Sequence, residues 1–216
     1  MRLLIDSSGP QLTCALADRD GGIVGTPLMA SGGAGVPPVT AGTAAPPSGV
    51  HTSIDAAVTE LLAGQPPSAI KSICVGLGPG SFIGTRVAVS FANGFAAASP
   101  GVKLYGVNSL AAIAAAQPAH AVLRDARRGQ WYVWLADGTC ELRDAEGAVE
   151  LLASGRNQNV IIEWNGPDEP PVAALLRQVG CSVSSVTGVP AEGLLKLIDS
   201  VEPQEYVEPV YLRGFT

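Results

Sequence analysis

Three short segments combine residue types that could do chemistry. The first is Asp6-Ser7-Ser8. A carboxylate followed by two small hydroxyl residues can hold a divalent cation through water and leave room for phosphate. The same residues can equally close a turn, with the aspartate accepting from turn amides. The second runs from Gly76 to Arg86, GLGPGSFIGTR. Gly78, Gly80 and Ser81 lie between an apolar run and a helical stretch, where backbone N–H groups can meet an anion. No lysine follows the last glycine and the glycine spacing is not that of a dinucleotide loop, so neither standard phosphate motif is present. A purely structural tight turn accounts for the segment as well. The third is Asp125-Ala126-Arg127-Arg128-Gly129. An aspartate leading into a small-residue turn would make a second phosphate loop, but two arginines fill this turn and their bulk obstructs backbone approach to a phosphate. Asp137-Gly138-Thr139 looks similar, yet it lies between two short strand-like runs and reads as a hairpin turn.

Other chemistries find less material. The cysteines are Cys14, Cys74, Cys140 and Cys181, with no CxxC pair. Each lies in or beside an apolar stretch, as buried free thiols do. With only His51 and His120, no multi-histidine metal site can form. His51 stands at a helix start and reads as a cap or packing residue.

These segments need elements to place them. Arg2–Asp6 reads as a buried strand, Gln11–Ala17 as a second and Ile23–Met29 as a weaker third, joined by turn residues. The stretch 30–50 is rich in Gly, Pro, Ala and Thr and reads as a long mobile loop. Residues 52–63 carry the stripe Ile54, Ala57, Val58, Leu61 and Leu62 of an amphipathic helix. A strand at 70–76, a helix at 81–98, a strand at 103–107 and a helix at 109–116 follow. The order β-β-β-α-β-α-β is that of the ribonuclease-H-like fold, from which actin-like ATPases are built in pairs. The second half restarts after Pro118 with strands at 121–124, 130–136, 139–143 and 160–164 and helices near 145–153, 170–178 and 191–200. It reads as a shorter, eroded copy of the first. The expected class is therefore α/β, with subdomains 1–108 and 109–216, the second reduced.

Composition narrows the functions. The chain has 216 residues, 47% hydrophobic and 15% charged, so it can bury a core and is no disordered polymer. The net charge is −6, and the densest basic spot is Arg124, Arg127 and Arg128. Unaided nucleic-acid binding calls for a larger basic face. No apolar run is long enough for a signal peptide or a membrane span, so the expected protein is soluble and cytoplasmic.

GPGSFIGTR after a strand, DARRGQWYV in the second half and EPVYLR near the C-terminus together resemble the TsaB (YeaZ) family of bacterial tRNA threonylcarbamoyladenosine biosynthesis. The resemblance runs through the chain in order. Thr52 after His51, Ile83, Thr85 and Gln130 depart from the family pattern. The resemblance implies a non-catalytic member of the actin-like ATPase superfamily, with no cofactor and no metal of its own. Its partner would be TsaD, a catalytic paralogue that modifies adenosine 37 of tRNAs reading codons beginning with A. The ATPase TsaE would join them, tRNA would be met only through the complex, and the chain alone would form a homodimer. Asp6, Ser7, Gly78, Gly80, Ser81, Asp125 and Arg127 would be remnants of a degenerate nucleotide site. The rival readings are a small ATPase or kinase, against which the arginine-filled turn argues, and a glycoprotease-like peptidase, which lacks a recognisable nucleophile and base.

The partner surface is expected on the helix at 81–98, whose only charge is Arg86. Ile83, Val87, Phe91 and Phe95 form an i, i+4 stripe expected to face the sheet. That leaves Val89, Ala92, Asn93 and Ala96 for a partner, together with Arg86 and with His51, Ile54 and Val58 from the preceding helix.

Overall fold

The computed structural model describes residues 1–31, 53–153 and 158–212. The expected loop at 30–50 lies outside the described residues from 32 onward, as does His51; Ala30 and Ser31 belong to a strand. Two five-stranded sheets carry the fold. The first contains β1 (Arg2–Asp6), β2 (Gln11–Ala17), β3 (Ile23–Ser31), β4 (Ser72–Gly76) and β5 (Lys103–Val107), in the order β3-β2-β1-β4-β5. The second contains β6 (Ala121–Arg127), β7 (Gln130–Leu135), β8 (Cys140–Asp144), β9 (Asn159–Glu163) and β10 (Ser182–Val186), in the order β8-β7-β6-β9-β10. In both, the first three strands are an antiparallel meander and the last two join it in parallel.

The helices repeat as well. α1 (Ile54–Leu62), α2 (Phe82–Ala98) and α3 (Ser109–Ala116) serve the first half, and α4 (Ala145–Ala153), α5 (Pro171–Gln178) and α6 (Ala191–Ile198) the second. The second copy therefore carries the same elements in the same order as the first. The reduction falls on α5, which has 8 residues against 17 in α2, while α4 matches α1 at 9 and α6 matches α3 at 8. The strand that sequence reading missed, β10, is the sheet-edge run Ser182-Val183-Ser184-Ser185-Val186, where all three serines are exposed and hide the apolar alternation.

Alternation along the central strands assigns the layers. Leu3 and Ile5 of β1, with Ile73 and Val75 of β4, join one core with α1 and α2. Leu4 and Cys74 face the other way, into a core with α3 and α6 that also receives Val122 and Ile161 from the second sheet. Leu123 and Ile162 point outward again, toward α4 and α5. The order of layers is α1/α2, first sheet, α3/α6, second sheet, α4/α5. Strands apolar on both faces are what a sheet covered on both sides requires. α6 packs against α3 and against β1, β2, β4 and β5, so the last helix of the second half lies on the first sheet. Thr13 Oγ1 donates to Val189 O at 2.6 Å across the same layer. Among the described residues no helix is long and apolar enough to cross a membrane.

Candidate functional site: a closed cleft and an outward helix face

β1 ends at Asp6 and β4 at Gly76. Because the two strands are parallel neighbours, the turns that follow leave the sheet at the same end. Ser81 N–H donates to Ser8 O at 2.7 Å and joins them. Asp6, Ser7, Gly78, Gly80 and Ser81 thus come together, as the sequence suggested.

Their hydrogen bonds are already used. Asp6 is wholly buried. Its Oδ1 accepts from Ser8 N–H at 2.9 Å and Ser8 Oγ at 2.7 Å, and its Oδ2 from Ser109 Oγ at 2.5 Å. Gly78 N–H donates to Ser109 Oγ at 3.0 Å, and Gly84 N–H to Ser81 Oγ at 3.2 Å, which caps α2. Ser7 Oγ donates to Gly84 O at 2.6 Å. The amides of Ser8, Gly78, Ser81 and Gly84 are thus spent on the chain's own oxygens.

Space is also spent. Gly78 has φ +86°, a conformation that disfavours side chains. Gly80 is required for a different reason: a Cβ there would lie 2.2 Å from Ser8 O. We expect Gly80→Val to lower stability by about 2–3 kcal/mol through overpacking. Denaturant unfolding checks this, and an unchanged midpoint would mean that the two turns separate at no cost.

The group that closes the cleft was not among the expected site residues. Arg124, on β6, is 3% exposed and Glu163, at the end of β9, is 2% exposed. Arg124 Nε donates to Glu163 Oε2, while Nη1 donates to Ser8 Oγ at 2.6 Å and Pro79 O at 2.7 Å. Arg124 Nη2 and Glu163 Oε1 have no hydrogen-bond partner among the described residues. Burial pushes the Glu163 carboxyl above its ordinary range; Arg124 opposes this and Asp6 adds to it. The signal was visible as an arginine directly after the apolar run AVL and a glutamate directly after the apolar run VII.

Asp125 and Arg127, in contrast, belong to the β6–β7 hairpin. Asp125 Oδ1 accepts from Arg127 N–H at 2.7 Å, and the Arg127 side chain is 83% exposed. Among the described residues no group of His, Cys, Asp and Glu could hold a metal.

α2 reverses the expected faces. Thr85, Ala88, Val89 and Ala92 are buried against the first sheet, whereas Ile83 is 68% and Val87 50% exposed. The i, i+4 stripe rotates by about 40° per step at 3.6 residues per turn. Ile83 and Val87 therefore point away from the sheet, while Phe91 and Phe95 drift back to its edge and pack on the core. The small i, i+3, i+4, i+7 set lets the helix lie close to the strands. Val89 and Ala92, with Ile54 and Val58 of α1, are core residues and not surface. Ala96 is half-buried against the same core. Asn93 is tied to the C-terminal segment, donating to Val207 O at 2.9 Å and accepting from Val207 N–H at 3.1 Å. Of the described residues expected at a partner surface, Arg86 alone is exposed, its guanidinium 5.1 Å above the Phe82 ring. Phe82, Ile83, Arg86, Val87 and Ser90 line a shallow groove of about 420 Å³, and Tyr211 packs on Phe82 at 5.4 Å between ring centroids.

Residues 50–150 match the family described as TsaD, tRNA N6-adenosine threonylcarbamoyltransferase. No curated protein matches the chain. Among solved structures, the chain is similar to an uncharacterized protein with similarity to peptidase YeaZ from Pseudomonas aeruginosa, at 23% identity and TM-score 0.66, over 98% of this chain and 99% of that one. It is similar to YeaZ from Pseudomonas aeruginosa at 22% identity and TM-score 0.65, over the same shares. From end to end the chain thus has the YeaZ fold, an actin-like pair of ribonuclease-H-like halves, and its residues 50–150 match the TsaD family.

Proposed function

We propose that this chain is the YeaZ-type (TsaB) subunit of the machinery that forms N6-threonylcarbamoyladenosine at position 37 of tRNAs reading codons beginning with A. It binds and activates a TsaD-type transferase and is not itself the catalyst. A TsaE-type ATPase completes the assembly, and tRNA is met through the complex. The TsaD-family segment supports the pathway. The observation that carries the non-catalytic reading is Asp6: the fold is kept, yet this carboxylate is fully buried with both oxygens hydrogen-bonded, and Arg124 donates to the Ser8 hydroxyl that bonds it. The outward face of α2, with large apolar side chains exposed around Arg86, supports docking of the transferase there and pairing of two copies when the transferase is absent.

A peptidase reading finds no support in the candidate nucleophiles. Burial pushes the Cys14 thiol up to about 12 and the Cys74 thiol higher still. His120 Nδ1 accepts from Asn159 N–H at 3.0 Å and so faces the backbone.

Co-expression with the TsaD-type partner of the same cell, followed by nucleoside analysis of tRNA, tests the reading. The modified adenosine is expected to disappear when this chain is deleted and to return with it. Titration calorimetry of the isolated chain with Mg-ATP is expected to show no heat of binding. A micromolar site lost on Asp6→Ala would overturn the non-catalytic reading.

A further inference from the structure

Arg124 stands on the second sheet, but its guanidinium reaches the first. Its Nη1 bonds the β1–β2 turn at Ser8 and the β4–α2 turn at Pro79, while Nε is held by Glu163 of its own sheet. The neighbouring backbone makes room for this. A Cβ at Gly80 would sit 2.7 Å from Arg124 Nη1, and one at Gly9 would sit 2.3 Å from Glu163 Oε1. Two glycines, one in each first-sheet turn, flank the pair. Between its two halves the chain thus places a charged side chain of its own.

We infer that Arg124 is a built-in latch that holds the two halves closed against each other where the first-sheet turns meet the second sheet, a permanent internal cation oriented by Glu163. The closed form is then independent of any small molecule, and the chain offers its partner a surface of fixed shape. A planar guanidinium suits this because it can satisfy three acceptors in fixed directions at once, which an ammonium on a flexible stem cannot. The inference rests on the cleft geometry and holds whatever the partner is.

Amide hydrogen exchange on the full chain tests it, because exchange resolves local opening from global unfolding. Arg124→Lys keeps the charge but cannot grip Glu163, Ser8 and Pro79 together. The amides of Ser8, Gly78 and Ser81 are expected to exchange at least about tenfold faster, with those of β2 and β9 unchanged. A residue that merely fills the core would instead speed exchange evenly through both halves. Glu163→Gln, which loosens only the orientation of the guanidinium, is expected to accelerate the same three amides by a smaller factor. It decides the matter if the lysine variant fails to fold. Unchanged exchange at the three amides, or an even rise everywhere, would overturn the latch. Loss of the tRNA modification, by contrast, bears on the proposed function alone.

Discussion

Arg124→Met is expected to cost about 3–5 kcal/mol of folding stability at neutral pH, while Glu163→Gln costs about 1 kcal/mol or less. The asymmetry follows from the charge count. Two carboxylates, Asp6 and Glu163, are buried close to one guanidinium, which bonds Glu163 directly and is linked to Asp6 through Ser8 Oγ. Removing the cation leaves Glu163 without its partner in a desolvated site and takes from Ser8 the donor that links it to Asp6. Removing the Glu163 charge leaves Arg124 with Ser8 Oγ, Pro79 O and the nearby Asp6. Because burial outweighs Arg124 and raises the Glu163 carboxyl, the folded chain binds protons more readily than the unfolded one between the ordinary value, 4.5, and the raised one. Stability contributed by the neutral carboxyl therefore falls as pH rises through that window, and Glu163→Gln should flatten the dependence. Urea unfolding of the three proteins at pH 5 and pH 8 measures this. Equal losses for the two variants would mean a simple pair in which Asp6 has no part.

How much of this could be read beforehand depended on whether a local pattern had a single solution. β1 and β4 are unbroken apolar runs between turn residues, and their positions follow almost to the residue. The repeat of one plan was legible from element order, although β10 was hidden by its exposed serines. Asp6 and the glycine turn were legible as a site because a parallel pairing of β1 and β4 forces their turns together. Arg124 and Glu163 were not, since an arginine in a strand that also carries Asp125 and Arg127 does not name its counter-charge 39 residues away. α2 was misread because a helix apolar nearly all round has no unique inner face. The sheet selects the face that packs closest, which is the small one through Ala88 and Ala92, and the larger Ile83 and Val87 are left outside.

That reversal moves the test of the partner surface. Ile83→Asp and Val87→Asp are expected to fold normally, because both side chains are at least half exposed on the outward face of α2. Each should weaken binding to the TsaD-type partner by at least about a hundredfold, close to 2.7 kcal/mol, by placing an unpaired carboxylate in the desolvated centre of an apolar interface. Arg86 sharpens the expectation. Its guanidinium lies over the Phe82 ring at the rim of the groove, so a carboxylate at position 83 has only a half-solvated cation within reach and the penalty is not cancelled. Val89→Glu is the contrasting variant. Val89 is 3% exposed in the core beneath α2, so this change is expected to unfold the chain rather than to separate a folded chain from its partner. Circular dichroism first sorts folded from unfolded variants. Pull-down with the transferase and size-exclusion chromatography with light scattering then read assembly. Wild-type assembly by both folded aspartate variants would place the partner on another surface of the molecule.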